Sequence, residues 1–348
     1  MTGRTSPPRV LIASYLEPHH VEGIRAAAPG AEVVYEPSLL PAPRYPADHY
    51  NTIQRSPDDE RRWRALLAGA DVLFDFDHGH LAELPAVAPR VRWVQATSAG
   101  IGQLLRRTGL DRTEIIFTTA SGVHAVPLAE FAALAMLYFA KQVPLMLLQQ
   151  GAHRWQRFAG SELRGRTVAI VGLGKIGLEV ARVSRALGLR VTGTRRRGTV
   201  HDAETAAGVD VQRPIGELRE LVADADYVVL AVPHTTETEG LIGAAELAAM
   251  RRGAVLVNIG RGKVVDELAL IEALRSGQLA GAALDVFIQE PLPPESLLWD
   301  MPNVLVSPHS ASTADSENAK LTDLFCENLR RYLAGQPLMN VYDRERGY

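Results

Sequence analysis

Val168-Ala169-Ile170-Val171-Gly172-Leu173-Gly174-Lys175-Ile176-Gly177 is the stretch from which the rest of the chain is read. Four apolar, strand-prone residues run into a G-x-G-x-x-G spacing, and a helix-like stretch, 178–187, follows. Glycine triplets alone are common, but between a strand and a helix they have a specific use. The first permits a tight turn, the second lets the backbone approach a pyrophosphate, and the third lets the helix pack on the sheet. The helix start then presents free N–H groups and the positive end of its dipole to the phosphates. Gly172, Gly174 and Gly177, with Lys175 and Ile176 inside the turn, are therefore candidate dinucleotide contacts.

Downstream, 189–194, 227–232, 254–259, 281–286 and 304–306 are short apolar runs bounded by turn residues; with 167–171 they make a series of six strands. Upstream, 9–15, 31–35, 72–76, 92–96 and 115–118 form a second series, separated by helix-like stretches such as 58–68 with its acidic start. Short apolar strands alternating with helices imply parallel sheets covered on both faces. The expected fold is α/β, with two doubly wound parallel-sheet (Rossmann-like) domains. A long helical stretch, 126–150, lies between the series. Pro127 suits a helix start, and Pro144 should kink the helix or split it in two. The last helix-like stretch, 312–334, is expected to pack back on the first domain, and the proline-rich 37–46 to be a surface loop.

The length of 348 residues suits two domains or three. With 37 Lys+Arg against 40 Asp+Glu, the net charge of −3 argues against a nucleic-acid binder, whose docking face is basic. One cysteine permits neither an internal disulfide nor a thiolate-rich zinc site, and it fits a reducing, cytoplasmic setting. The most apolar run, 131–140, is ten residues long. A membrane span needs about 20, so no membrane segment is expected. Nor does the stretch 1–9 carry the apolar core of a secretory signal.

The residue closing the strand after the glycine turn sets the choice of dinucleotide. An NAD site usually has Asp or Glu there, bonded to the ribose 2′-OH. Counting 18 residues past Gly177 reaches Arg195, followed by Arg196 and Arg197, with no carboxylate. Guanidinium forks suit a 2′-phosphate; an ordinary solvated basic turn is the plainer reading. NADP(H) is the expected cofactor, with NAD(H) a weaker second.

Three further stretches carry candidate chemistry. Asn258-Ile259-Gly260-Arg261-Gly262 puts Arg261 just past a strand end. Leu284-Asp285-Val286-Phe287-Ile288-Gln289-Glu290-Pro291-Leu292 puts Asp285 at a strand end and Glu290 in the loop after it. Val306-Ser307-Pro308-His309-Ser310-Ala311 puts His309 beyond the last strand. Ligands of open parallel sheets bind outside the carboxyl ends of the strands, where these loops open. Reducing a 2-ketoacid needs a proton donor for the carbonyl oxygen, and histidine is the common one near neutral pH. A carboxylate beside an imidazole fixes its tautomer, and Glu290 is the candidate. A planar cationic clamp suits the substrate carboxylate and carbonyl, and Arg261 provides one. Taken singly, the histidine and the glutamate read as ordinary polar loop residues; their joint order beyond successive strands is the signal.

These motifs, with Val232-Pro233-His234-Thr235-Thr236-Glu237-Thr238, resemble the D-isomer-specific 2-hydroxyacid dehydrogenase family, most strongly over 121–311. The resemblance implies that Arg261 binds and polarises substrate, His309 is the acid/base, and Glu290 pairs with His309. It places Asp285 at the nicotinamide amide and Pro233 and Thr238 among the cofactor contacts. Thr97-Ser98-Ala99-Gly100-Ile101-Gly102 resembles the family loop whose backbone N–H groups hold the substrate carboxylate, so Ser98, Ala99 and Gly100 are substrate candidates. The family usually has Asp where Gly102 stands. Phe76-Asp77-His78-Gly79-His80 falls at a second substrate loop, which makes His78 and Gly79 candidates as well. Asp77, His78 and His80 could be read as metal ligands, but three ligands on so short a loop make poor geometry, and no metal is expected.

The resemblance also implies a substrate domain of 1–120 and 309–348, with the dinucleotide-binding domain, 121–308, inserted into it. The apolar helix after Ala125, with Leu128-Ala129-Glu130-Phe131, matches the family's dimer-forming element, although an all-apolar helix can equally be core. The implied activity is hydride transfer between a nicotinamide cofactor and a small 2-ketoacid or D-2-hydroxy acid, of the glyoxylate or hydroxypyruvate reductase type, in a homodimer. Corepressor-like relatives that sense dinucleotides can keep all three catalytic residues, so a non-enzymatic binding protein is the alternative.

Overall fold

The computed structural model describes residues 7–195 and 202–348. The chain divides into two units, Met1–Val123 with Thr313–Tyr348, and His124–Ser312. The first runs β1 (Arg9–Ile12), α1 (Pro18–Ala27), β2 (Glu32–Val34), α2 (Pro57–Gly69), β3 (Val72–Phe74), α3 (Leu84–Val87), β4 (Trp93–Gln95), α4 (Gly102–Thr108) and β5 (Ile116–Thr118). The second opens with α5 (Ala125–Ala140), α6 (Val143–Gly151), β6 (Thr167–Val171), α7 (Lys175–Ala186), β7 (Arg190–Arg195), α8 (Asp202–Ala206) and β8 (Val211–Pro214). It continues through α9 (Leu218–Ala223), β9 (Tyr227–Leu230), α10 (Ala244–Ala249), β10 (Ala254–Asn258), α11 (Glu267–Arg275), β11 (Leu279–Leu284) and β12 (Val304–Val306), after which α12 (Glu317–Leu333) rejoins the first unit.

Each unit holds one parallel sheet, five-stranded in the order 2-1-3-4-5 and seven-stranded in the order 12-11-10-9-6-7-8. Both are doubly wound, and the second unit is inserted into the first, as expected. In the larger sheet β6 pairs with β7 on one side and β9 on the other, so the strand order reverses beside the glycine turn. That reversal opens the crevice in which such sheets bind ligands.

Strand alternation explains why both faces are sealed. Val168 and Ile170 enter one core with α5 and α7, while Ala169 and Val171 enter another with α9, α10 and α11. With both faces buried, the strand reads as continuously apolar. In the first unit Leu11 enters one core and Val10 and Ile12 the other. The helix α12 completes that second core, with Phe325 stacked on Trp93 at 5.2 Å between ring centroids.

The strand count of the second series needs correction. The second series has seven strands, not six: β8, Val-Gln-Arg-Pro, pairs with β7 at the sheet edge. An edge strand needs no apolar run and tolerates proline, so it leaves no pattern to read. As expected from Pro144, the stretch 126–150 is split into two helices, bent by 63°, with the break where Gln142 takes φ 58° and Pro144 enters the first turn of α6. The two units divide at 123/124 and at 312/313. Ala120 and Val123 are buried in the first unit's core, and Ala120 N–H donates to Ser98 O at 3.0 Å. Residues 310 and 311 hang on Asp285 of the second unit.

No single helix among the described residues is long and apolar enough to cross a membrane. In α5, Leu128, Ala132, Ala135 and Met136 are buried against the seven-stranded sheet, so this apolar helix is core along one side.

Candidate active site

The glycine turn is tight behind and open in front. A Cβ on Gly172, where φ is 104°, would lie 2.7 Å from Val232 Cγ1, and one on Gly177 would lie 2.0 Å from Gly172 O. A Cβ on Gly174 would meet nothing within 4 Å. The backbone can therefore approach a pyrophosphate at Gly174, where α7 begins without a side-chain cap. The turn fits a dinucleotide on its own geometry. Ile176 packs on the core and Lys175 is exposed. Beyond β9, Thr238 Oγ1 donates to Pro233 O at 2.6 Å and accepts from Thr235 N–H at 2.8 Å, closing the 233–238 turn.

Arg195 ends β7, and its Nη1 donates to Oε1 of Glu204, a buried residue of α8. Arg196 and Arg197 lie outside the described residues.

Beyond β10, Asn258 Oδ1 accepts from Gly260 N–H at 3.1 Å and its amide donates to Arg261 O at 3.1 Å. These bonds fix the turn that carries Arg261, whose Nη1 donates to Gly260 O at 2.7 Å. Asp285 follows β11 and is buried. Its Oδ1 accepts from Ser307 Oγ at 2.5 Å and from the N–H groups of Ser310 and Ala311 at 2.9 Å each. Its carbonyl accepts from His309 N–H at 2.9 Å. Burial pushes the Asp285 carboxyl up from its ordinary pKa, with these bonds opposing. So pinned, the loop holds His309 at φ 53°, the left-handed region that L residues seldom adopt.

His309 Nδ1 lies 2.7 Å from Glu290 Oε2, and Glu290 Oε1 accepts from Phe287 N–H at 3.0 Å. Partial burial alone would raise the Glu290 carboxyl. The bond to His309, the Phe287 N–H and the charges of His309 and Arg261 outweigh it and hold the group below its ordinary value. A carboxylate at Nδ1 sets the imidazole tautomer and reserves Nε2 for chemistry. The second unit thus brings Arg261, Asp285, Glu290 and His309 together.

The remaining candidates stand in the first unit. Thr97 Oγ1 donates to Asp75 Oδ1 at 3.1 Å, and Asp75 itself is buried with φ 67°. Ser98, Ala99 and Gly100 follow in the loop that leads to α4. Asp77 accepts from Trp63 Nε1 at 3.0 Å and contacts His80 Nδ1, while His80 Nε2 meets Glu60 Oε1 at 2.7 Å. Asp77 and His80 therefore tie their loop to α2, whereas His78 lies 5.4 Å from the Tyr50 ring and Gly79 is exposed. Sequence reasoning passed over Asp75, Asn258, Ser307 and Glu204. Asp75, Ser307 and Glu204 support residues on a different element or loop, whereas Asn258 closes a local turn over Gly260 and Arg261.

Fold and site define a dinucleotide-dependent oxidoreductase of the doubly wound class. Residues 133–311 match the family described as D-isomer specific 2-hydroxyacid dehydrogenase, NAD binding domain. A glyoxylate reductase of Korarchaeum cryptofilum is 34% identical over 273 residues, 76% of this chain and 80% of that one. A D-isomer specific 2-hydroxyacid dehydrogenase of Xanthobacter autotrophicus, solved in complex with NADPH and MES, is 30% identical with a TM-score of 0.78. That match covers 99% of this chain and all of the other. An NADPH-dependent glyoxylate/hydroxypyruvate reductase of Sinorhizobium meliloti, solved in complex with NADP and sulfate, is 28% identical with a TM-score of 0.76, over 98% of this chain and 100% of that chain. The chain belongs to the D-isomer specific 2-hydroxyacid dehydrogenase family. It is an NAD(P)-dependent oxidoreductase similar to glyoxylate reductases.

Proposed function

We propose that the chain reduces small 2-ketoacids, glyoxylate and hydroxypyruvate among them, with NADPH preferred over NADH. The observation that carries this reading is the 2.7 Å contact between His309 and Glu290 on a loop pinned by Asp285. The nicotinamide, when bound, supplies the hydride to the carbonyl carbon. His309 Nε2 gives the carbonyl oxygen its proton and takes one back in the reverse direction. Glu290 keeps the imidazole in the tautomer this requires and balances its charge. Arg261 clamps the substrate carboxylate and carbonyl through its planar fork. Backbone N–H groups of Ser98, Ala99 and Gly100 receive the carboxylate, and His78 and Gly79 border the substrate. Gly172, Gly174, Lys175, Ile176 and Gly177 take the pyrophosphate, while Pro233, Thr238 and Asp285 serve the nicotinamide end. On this reading the first unit is the substrate domain and the second the dinucleotide domain.

NADPH is favoured because Arg195, oriented by Glu204, stands where a carboxylate would otherwise bind the 2′-OH, and Arg196 follows it in sequence. Both solved relatives named above carry NADPH or NADP. A homodimer fits the exposed Leu134, Met146, Leu147 and Leu148 on α5 and α6, together with Trp155, which is 98% exposed. A cytoplasmic location fits the single, buried, free cysteine. Steady-state rates on a panel of 2-ketoacids from glyoxylate to phenylpyruvate, each with NADPH and NADH, test the reading. No turnover of any ketoacid with either cofactor would refute it.

A further inference from the structure

Gly102, where the resemblance would lead one to expect Asp, is buried at the start of α4. A Cβ there would lie 2.0 Å from Gly347 O, 3.1 Å from Gly347 C and 3.4 Å from the Tyr342 ring. No φ in the left-handed region calls for glycine at this position, so the requirement is one of space alone. The space is taken by the segment 340–348. Asn340 O accepts from Thr119 N–H at 2.9 Å, and the Asn340 amide donates to Ser121 O at 2.9 Å. Val341 bridges Thr118 in antiparallel fashion, and Tyr342 is buried in the core with its N–H on Phe117 O at 2.8 Å. Arg344 donates to Asp111 O and Ile115 O. Asp343 then folds the rest back: its Oδ1 accepts from Glu345 and Arg346 N–H at 3.0 Å each, and its carbonyl accepts from Gly347 N–H at 2.8 Å. The segment is thus anchored at several points before its backbone reaches Gly102.

We infer that residues 343–348 form a positioning clasp on the loop 97–102, and that Gly102 is glycine because Gly347 fills its side-chain space. The inference rests on the reading of that loop as the holder of the substrate carboxylate. The loop is fixed at its start by the Thr97–Asp75 bond and in its middle by Ser98 O on Ala120 N–H. The clasp fixes its far end, so that three anchors set where the N–H groups of Ser98, Ala99 and Gly100 point. Thr97, Gly102 and residues 343–348 position the loop; they do not touch substrate.

Two variants test this, Gly102→Ala and a chain ending at Tyr342, which keeps the buried ring. Each should raise KM for glyoxylate roughly tenfold, the scale of one lost hydrogen bond to a charged group, while KM for NADPH stays within about twofold. Combining them should be no worse than either alone, because both remove one contact. Amide hydrogen exchange over residues 98–103 should quicken in both variants, whatever the substrate proves to be. An unchanged glyoxylate KM in both, or additive effects, would overturn the clasp. Unchanged exchange would overturn it independently of any ketoacid activity.

Discussion

Replacing Glu290 with Gln removes the charge and turns one of its two acceptor oxygens into an NH2 donor, at nearly the same volume. The amide can still accept from Phe287 N–H, now 3.0 Å from Oε1. What is lost is the charge-assisted contact to His309 Nδ1 at 2.7 Å. A hydrogen bond to a charged partner contributes roughly 1.5–3 kcal/mol when shielded, whereas exposed ion pairs give about 0.2–1 kcal/mol. The His309 and Glu290 side chains are 42% and 36% exposed, so solvent screens much of the interaction. An intermediate figure of about 1 kcal/mol predicts a roughly fivefold fall in kcat for ketoacid reduction. His309→Ala removes the acid itself and should lower kcat by about 10² or more, the usual scale of general acid catalysis. Since Glu290 acts through His309, the double variant should be no slower than His309→Ala alone. The assay is kcat at saturating NADPH and glyoxylate for the four proteins, with KM for NADPH as a control that should not move. If Glu290→Gln slows the His309→Ala enzyme by a further fivefold or so, the carboxylate has a separate role and the pairing argument fails.

Arg261→Lys should reduce kcat/KM for glyoxylate by roughly tenfold or more, because an ammonium cannot reproduce the planar fork; an unaltered value would place the clamp on another residue. Arg195→Asp with Arg196→Ser should reverse a wild-type preference for NADPH of roughly ten- to a hundredfold, the contribution of one charged hydrogen bond, and the wild-type preference should shrink in high salt. Equal use of NADH by the wild type at low salt would reduce these arginines to a solvated turn. The Glu290 carboxyl is held below its ordinary pKa. Its stabilisation is therefore fully present above the unfolded value of about 4.3 and is lost as pH falls through the lower folded value. Glu290→Gln should accordingly lower Tm near pH 7 and converge with wild type once the pH lies below the folded-state value; a Tm gap that persisted under strongly acidic conditions would contradict the assigned direction.

Residues that act through local order were readable from the chain alone. The run from Val168 to Gly177 declares a strand, a turn and a helix because each glycine answers a constraint within ten residues. Arg261, Glu290 and His309 follow successive strand ends, and parallel sheets gather those ends on one edge. In the second unit the structure brings the three side chains together with Asp285. The proline at 144 marked the break between α5 and α6 for the same local reason: ring and missing N–H act on adjacent turns.

What spacing did not carry was decided by residues that share volume without sharing sequence. The strand β8 lies at an edge, where pairing with β7 needs backbone rather than apolar side chains, so its four residues look like loop. Asp285 was read as a cofactor contact, but its buried Oδ1 is also the point on which Ser307, Ser310 and Ala311 hang. Glu204 meets Arg195 only because α8 folds back beside the end of β7. Gly102 looked like a lost aspartate until Gly347 was seen in the space its side chain would need. Sequence by itself determined the class of fold and the strand, glycine turn and helix around Gly172, and it singled out Arg261, Glu290 and His309 as candidates, since these follow from short-range geometry and residue chemistry. Only the tertiary structure decided which side chains hold those groups in place, because excluded volume and hydrogen-bond partnership depend on packing between distant segments.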